Sequence, residues 1–166
     1  MRITNKAAKW IVIIYTIVVF AIGLLPLTVK ATEFPELSQE AKEKYITTLT
    51  DRISKELELQ TTPKLYFYSC EEWPVIASYY DGLDYIYVNI GAITSYEEAI
   101  KTMAHEVRHD YQYEHMNDDS DFGRAIKANK QNYISYYTDL DAYYAQFTEQ
   151  DAEQYAQDYV KRYFKR

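Results

Sequence analysis

Cysteine is almost missing from this chain: Cys70 stands alone among 166 residues. An internal disulfide, a four-cysteine zinc site and a resolving-cysteine redox pair are therefore excluded. Cys70 lies in Tyr68-Ser-Cys-Glu-Glu72, which carries no signature of a thiol nucleophile, and is read as a small buried hydrophobe. Positive charge is also scarce once the leading residues are set aside. Arg2, Lys6, Lys9 and Lys30 lie in that leader, so the rest holds 14 basic against 25 acidic residues. Nucleic acid is excluded as a partner on this balance, because phosphate binding relies on clustered Lys and Arg. No internal repeat and no low-complexity tract appears. Phenylalanine is sparse at 6 residues, whereas tyrosine reaches 19, so tyrosines must supply core bodies whose hydroxyls reach the surface or a cleft.

The length suits one modest domain and leaves no room for two catalytic ones. What precedes that domain is distinctive: no residue from Trp10 to Val29 is charged. Such a run has about the twenty residues needed to cross a bilayer core. Arg2, Lys6 and Lys9 precede it and only Lys30 follows at once, so the positive-inside bias places the N-terminus in the cytoplasm and the domain outside. Residues 1–31 are thus expected to be a membrane anchor or a signal segment, and 32–166 the extracytoplasmic domain. The length of the apolar run favours a retained anchor and a single-pass membrane protein. Val29-Lys30-Ala31 resembles a signal-peptidase site and favours a secreted product.

Beyond the leader, Ser38 can cap a helix with Ala41, Tyr45, Leu49, Ile53 and Leu57 at near-helical spacing. Thr61-Thr62-Pro63 ends it. Lys64 to Ser69 reads as a strand, and Val75–Tyr80 and Tyr85–Asn89 flank the turn Asp81-Gly-Leu-Asp84 as a hairpin. Ser95-Tyr-Glu-Glu98 is a capping box that starts a helix running to about His115. A polar loop from Met116 to Gly123 and a weakly patterned, partly helical stretch from Arg124 to Tyr144 follow. Thr148 is expected to cap a last helix carrying Glu149 to about Phe164. The order of elements gives an α+β class.

The chemistry concentrates in Ala104-His-Glu-Val-Arg-His109, an H-E-x-x-H pattern within the capped helix. Four residues turn a helix through about 400°, so His105 and His109 project from one face and can offer two imidazole nitrogens to one zinc ion. Glu106 sits about 100° round, off the ligand line, where it can act as general base on the attacking water. With His105 at zero, Tyr96, Ile100, Met103, Ala104, Val107 and Tyr111 fall between about 160° and 260°, an apolar stripe opposite the metal face. A third ligand is available in Thr148-Glu-Gln-Asp-Ala-Glu-Gln-Tyr-Ala156: Glu149 heads the last helix and Glu153 lies one turn later. Ala152 and Ala156 would allow close helix approach, and Glu153 can accept a hydrogen bond from the outer nitrogen of a ligating histidine. Asp151, Asp139 and Asp141 are rival carboxylates.

His105-Glu-x-x-His109 followed by Glu149-x-x-Ala-x-x-x-Ala156 resembles the gluzincin pattern of zinc metallopeptidases, and most closely the minimal gluzincins, which include ImmA/IrrE-like proteins. The segments His105 to Gln112 and Glu149 to Ala152 are also similar to H-E-x-R-H-x-x-Q and E-x-D-A in small Gram-positive bacterial and phage proteins of uncertain role. The resemblance covers roughly residues 85–159. It implies a zincin-like α+β domain with a small sheet, an active-site helix and a C-terminal ligand helix. It also implies Zn2+ held by His105, His109 and Glu149, Glu106 as catalytic base, and a protein or peptide substrate. Glu153 replaces the aspartate that many relatives carry. The resemblance further places an extended peptide along the strand Tyr85–Asn89, and leaves oxyanion stabilisation to a tyrosine or to His115. A second reading stays open, a membrane-tethered binding module with a structural or degenerate metal site, although a purely structural site has no need of Glu106.

Overall fold

A computed structural model describes residues 33–165 apart from Glu71 and Pro74. The expected membrane segment lies outside these residues, and among the described residues no helix is long and apolar enough to cross a membrane. After a 3-10 turn at Phe34–Glu36 come α1 (Gln39–Glu56), β1 (Lys64–Tyr68), β2 (Ala77–Tyr80), β3 (Tyr85–Asn89), α2 (Tyr96–His115), α3 (Asp121–Gln131), α4 (Leu140–Tyr144) and α5 (Phe147–Phe164). The class is α+β, as the pattern of elements predicts.

Local chemistry sets most boundaries. The Ser38 hydroxyl accepts from the Ala41 amide at the start of α1, and Ser95 accepts from Glu98 at the start of α2. The capping box differs in one bond: Glu98 Oε2 reaches past Ser95 to take the amide and hydroxyl of Thr94 at 2.6 and 2.7 Å. In α1 the buried face is Ile46, Leu49, Thr50, Ile53 and Ser54. It is rotated from the expected stripe, because Tyr45 leaves the core centre to join an aromatic cluster with Phe34 and Tyr96.

The weakly patterned region holds more helix than its sequence suggests. Ser120 caps α3 within the expected polar loop, and the end of α2 lies so close that a Cβ on Gly123 would fall 2.6 Å from the Asp118 carbonyl and 2.7 Å from that of His115. Only glycine fits there. The start of α5 also departs from expectation: it begins at Phe147, and Thr148 does not cap it. Its first-turn amide, that of Thr148, is instead satisfied from outside by Asn129 Oδ1 of α3 at 3.1 Å.

The sheet has the order β1-β3-β2, with β1 parallel and β2 antiparallel to β3. This corrects the expectation of a peptide-binding edge at Tyr85–Asn89. That strand is central and hydrogen-bonded on both sides; β2 is the edge nearer α2. Side chains alternate: Ile86, Val88 and Ala77 enter the core, and Leu65, Phe67 and Tyr79 pack against it, with only Asn89 at the end of β3 buried out of phase. Tyr66, Tyr80, Tyr85 and Tyr87 form a ring ladder on the other face. α2 covers the inner face with Ala99, Ile100, Met103, Ala104 and Val107, all fully buried. Of the stripe expected opposite the metal face, Ile100, Met103, Ala104 and Val107 are in the core, whereas Tyr96 and Tyr111 are half-buried, and Ala99 lies outside that expectation. α5 packs along α2 through Ala152 and Ala156, both fully buried.

Between β1 and β2 the chain is anchored by Asn89, whose side chain is completely buried. It accepts from the Cys70 amide at 3.0 Å and donates to the carbonyls of Cys70 and Trp73 at 2.7 and 3.2 Å. Cys70 itself is half-buried rather than a core residue. Asn89→Ala should strand these backbone groups and lower unfolding stability by about 2–4 kcal/mol, since each unsatisfied buried group costs about 1–3 kcal/mol. Urea denaturation checks this, and an unchanged midpoint would show that the loop repairs its bonds with water.

Candidate metal centre

His105 and His109 face one cleft because they lie one turn apart on α2, whose other side is pinned to the sheet. Their Nε2 atoms are 3.1 Å apart. Glu149, in the first turn of α5, closes the triangle: Oε2 lies 3.4 Å from His105 Nε2 and Oε1 lies 3.6 Å from His109 Nε2. The three side chains could hold a metal ion. Glu149 is 5% exposed, and its Oε2 has no hydrogen-bond donor. A buried carboxylate oxygen in that condition calls for a cation.

The electrostatics agree. Burial disfavours a charged His109, but pairing with Glu149 and the charges of Glu106 and Glu149 outweigh it and raise the imidazole to about 9. Burial likewise opposes ionised Glu149, yet its pairing with His105 and His109 holds the carboxyl down at about 2. At neutral pH the cluster pairs a carboxylate with a proton that a metal ion would replace.

Glu106 is buried beside these groups without joining them. Its Oε2 accepts the Tyr79 backbone amide of β2 at 2.7 Å. Tyr79 also donates its hydroxyl to Asp110 Oδ1 at 2.8 Å. Burial drives the Asp110 carboxyl up to about 7, against the bond from Tyr79. The edge strand and the active helix are thus tied together at two points.

Among the rival carboxylates, Asp139 caps α4 by accepting the Ala142 amide at 3.0 Å, and Asp141 is exposed. Asp151 is engaged by Arg108, with Nε to Oδ2 at 2.8 Å and Nη2 to Oδ1 at 3.1 Å. None of them enters the triangle. Glu153 lies near His105, but its Oε2 is 3.9 Å from Nδ1, too far for a hydrogen bond. Its Oε1 is taken by Lys101 at 2.6 Å and Gln157 at 2.9 Å. The expected orienting contact is therefore not formed. His115 bonds the Tyr111 carbonyl and stacks on that ring, outside the cleft.

Two neighbours of the triangle escaped sequence reasoning. Gln112 Oε1 lies 3.0 Å from His109 Nδ1, a contact that the i, i+3 spacing could have suggested. Tyr143, on α4, turns its hydroxyl toward Glu149; burial, then that carboxylate's charge, pushes its phenol well above the ordinary range. Nothing in the local sequence marks it. The centre opens into a cavity of about 1230 Å³ lined by β2, by Tyr68 and Trp73, and by Tyr133, Tyr136, Tyr137 and Tyr144. No family model matches this chain, and no curated protein or solved structure matches it either.

Metal binding should be proton-linked with a definite sign. Below about 9 the metal-free His109 holds a proton that must leave, so affinity for a divalent metal should rise by about tenfold per pH unit from about 7 to 9 and then level off. The groups facing His109, namely His105, Glu106, Gln112 and Glu149, include no second cation that would reverse the trend. Calorimetric titration in buffers of different ionisation enthalpy measures the released proton. His105→Ala, His109→Ala and Glu149→Ala should each abolish tight binding, whereas retention by Glu149→Ala would reassign the third ligand.

Proposed function

We propose that this protein is a zinc-dependent peptidase of zincin-like architecture, acting on a protein or peptide outside the cytoplasm. The observation that carries the reading is the convergence of two imidazole nitrogens and one carboxylate on an open cleft, with a second, non-ligating carboxylate alongside. Three protein ligands are the mark of a catalytic zinc site, whereas structural sites are closed by a fourth. Tetrahedral zinc with bonds of about 2.0–2.1 Å needs donors about 3.3 Å apart. Separations of 3.1, 3.4 and 3.6 Å fit that need.

Bound zinc supplies a Lewis acid that acidifies water and polarises a carbonyl. The remaining work falls to the chain. Glu106, steadied by the Tyr79 amide, takes the proton of the attacking water and delivers it to the departing amine. Tyr143 is the phenol placed to donate to the oxygen on which negative charge develops. His115, the other candidate for that task, stands away from the cleft.

The edge strand β2 lies along the cleft, so a substrate backbone can extend the sheet there by main-chain hydrogen bonds. The tyrosines across the cavity offer flat apolar faces and hydroxyls to its side chains. The extracytoplasmic location rests on the charge bias across the apolar leader, and the acidic domain suits neither DNA nor RNA.

Glu106→Gln tests the mechanism, because the amide keeps the shape and the contact with Tyr79 but cannot take the proton. Zinc should remain bound while kcat falls by about 10² to 10⁴ or more on a cleaved peptide. Tyr143→Phe should lower kcat by about 10 to 10³ with little change in metal affinity. Hydrolysis undiminished in Glu106→Gln would remove the mechanism. A wild type that holds zinc yet cleaves nothing in broad peptide libraries would turn the reading to a contact-only binding module.

A further inference from the structure

Gln112 sits three residues beyond the second histidine and is 2% exposed, so every polar atom of its amide must find a partner. Nε2 meets two acceptors, the Thr148 carbonyl at 2.9 Å and Asp151 Oδ2 at 2.8 Å. Neither donates, since a carbonyl never does and both Asp151 oxygens accept from the Arg108 fork. The NH2 group must therefore face α5, and the amide has only one permissible orientation. Its oxygen is left pointing at His109 Nδ1, 3.0 Å away.

An oxygen acceptor at that position requires a proton on Nδ1, so that once the ring gives up its second proton the Nε2 lone pair faces His105 and Glu149. The same amide grips α5 on both sides of Glu149, at Thr148 and at Asp151. Arg108, from which the order of donors and acceptors starts, is itself fixed over the rings of Tyr111, Phe122 and Tyr155 at 4.3, 5.2 and 5.3 Å. The polarity of the whole chain is thus set by a guanidinium that cannot lose its proton.

We infer that Gln112 is a positioning residue, which sets the His109 tautomer and couples that ligand to the turn carrying Glu149: His109 Nδ1–H donates to Gln112, and the Gln112 NH2 donates to Asp151, the acceptor that Arg108 holds from the other side. The inference rests on the reading of the triangle as a metal centre. It assigns Asp151 a role too: not a ligand, but the group that decides which way the Gln112 amide faces. An asparagine there would direct an amide NH2 at Gln112 or at Arg108, setting donor against donor. Relief by a flipped Gln112 would put its NH2 at His109 Nδ1 and favour the tautomer that cannot ligate through Nε2.

The test uses the full described domain with its leader, measuring zinc affinity by competition with a chromophoric chelator and the His109 Nδ1–H signal in ¹⁵N-labelled, zinc-loaded protein. Wild type should show a slowly exchanging Nδ1–H proton. Gln112→Met should lose its protection and weaken zinc about 10- to 100-fold. Asp151→Asn, which touches neither metal nor histidine, should weaken zinc by about tenfold and shift the same proton signal. Should Gln112→Met fail to fold, Asp151→Asn carries the test, because it keeps the shape of the side chain while turning one acceptor oxygen into a donor. A wild type that binds no zinc overturns the metal reading itself. Zinc-binding wild type with unchanged affinity and an unchanged Nδ1–H signal in Asp151→Asn and folded Gln112→Met overturns only the role of Gln112.

Discussion

The approach of α5 to α2 is the constraint on which the remainder depends, because it drives a carboxylate with almost no solvent access against two imidazoles. A buried carboxylate without compensation costs several kcal/mol, so the helix pair can close only if positive charge meets Glu149. His109 provides it through its raised proton affinity in the metal-free protein, or a cation shared with His105 does. The alanines Ala152 and Ala156 remove the steric obstacle, and Arg108 with Asp151 sets the register of the two helices one turn from the triangle. Small residues permit the contact; charged ones dictate where it stops.

A second link runs from the sheet. Glu106 is attached to the backbone of β2, and Tyr79 reaches on to Asp110, so the edge strand is fastened to the same helix that carries the histidines. β2 is in turn positioned by pairing with β3, whose Asn89 holds the connection out of β1. Glu106 and the edge strand are therefore joined by a direct hydrogen bond. The looser wall is the tyrosine-rich one, where Tyr136, Tyr137 and Tyr144 are exposed and contact mostly one another.

Where sequence reasoning succeeded, the determinant was local. Ser38 and Ser95 cap helices by bonding amides three residues on, and the strand Tyr85–Asn89 is defined by its own alternation. Where it failed, the determinant came from elsewhere in the chain. Thr148 loses its expected capping role because Asn129, nineteen positions earlier in sequence, already serves its amide. The start of α3 was hidden in a polar loop because Ser120 and Gly123 act through contact with the end of α2. Glu153 misses His105 because Lys101 and Gln157 both hold its Oε1, leaving Oε2 3.9 Å from the ring nitrogen.

The sequence by itself determined the α+β class, the helix that presents His105 and His109 on one face, and the separation of Glu106 from that line, since helical periodicity acts over four residues. It also nominated Glu149, by type and by the small residues beside it. Only the tertiary structure decided that Glu149 rather than Asp151 enters the triangle, that β2 and not β3 is the free edge near the centre, and that Gln112 and Tyr143 surround the site. Those outcomes depend on which donors and acceptors meet across helices and strands distant in sequence, and no local period carries that information.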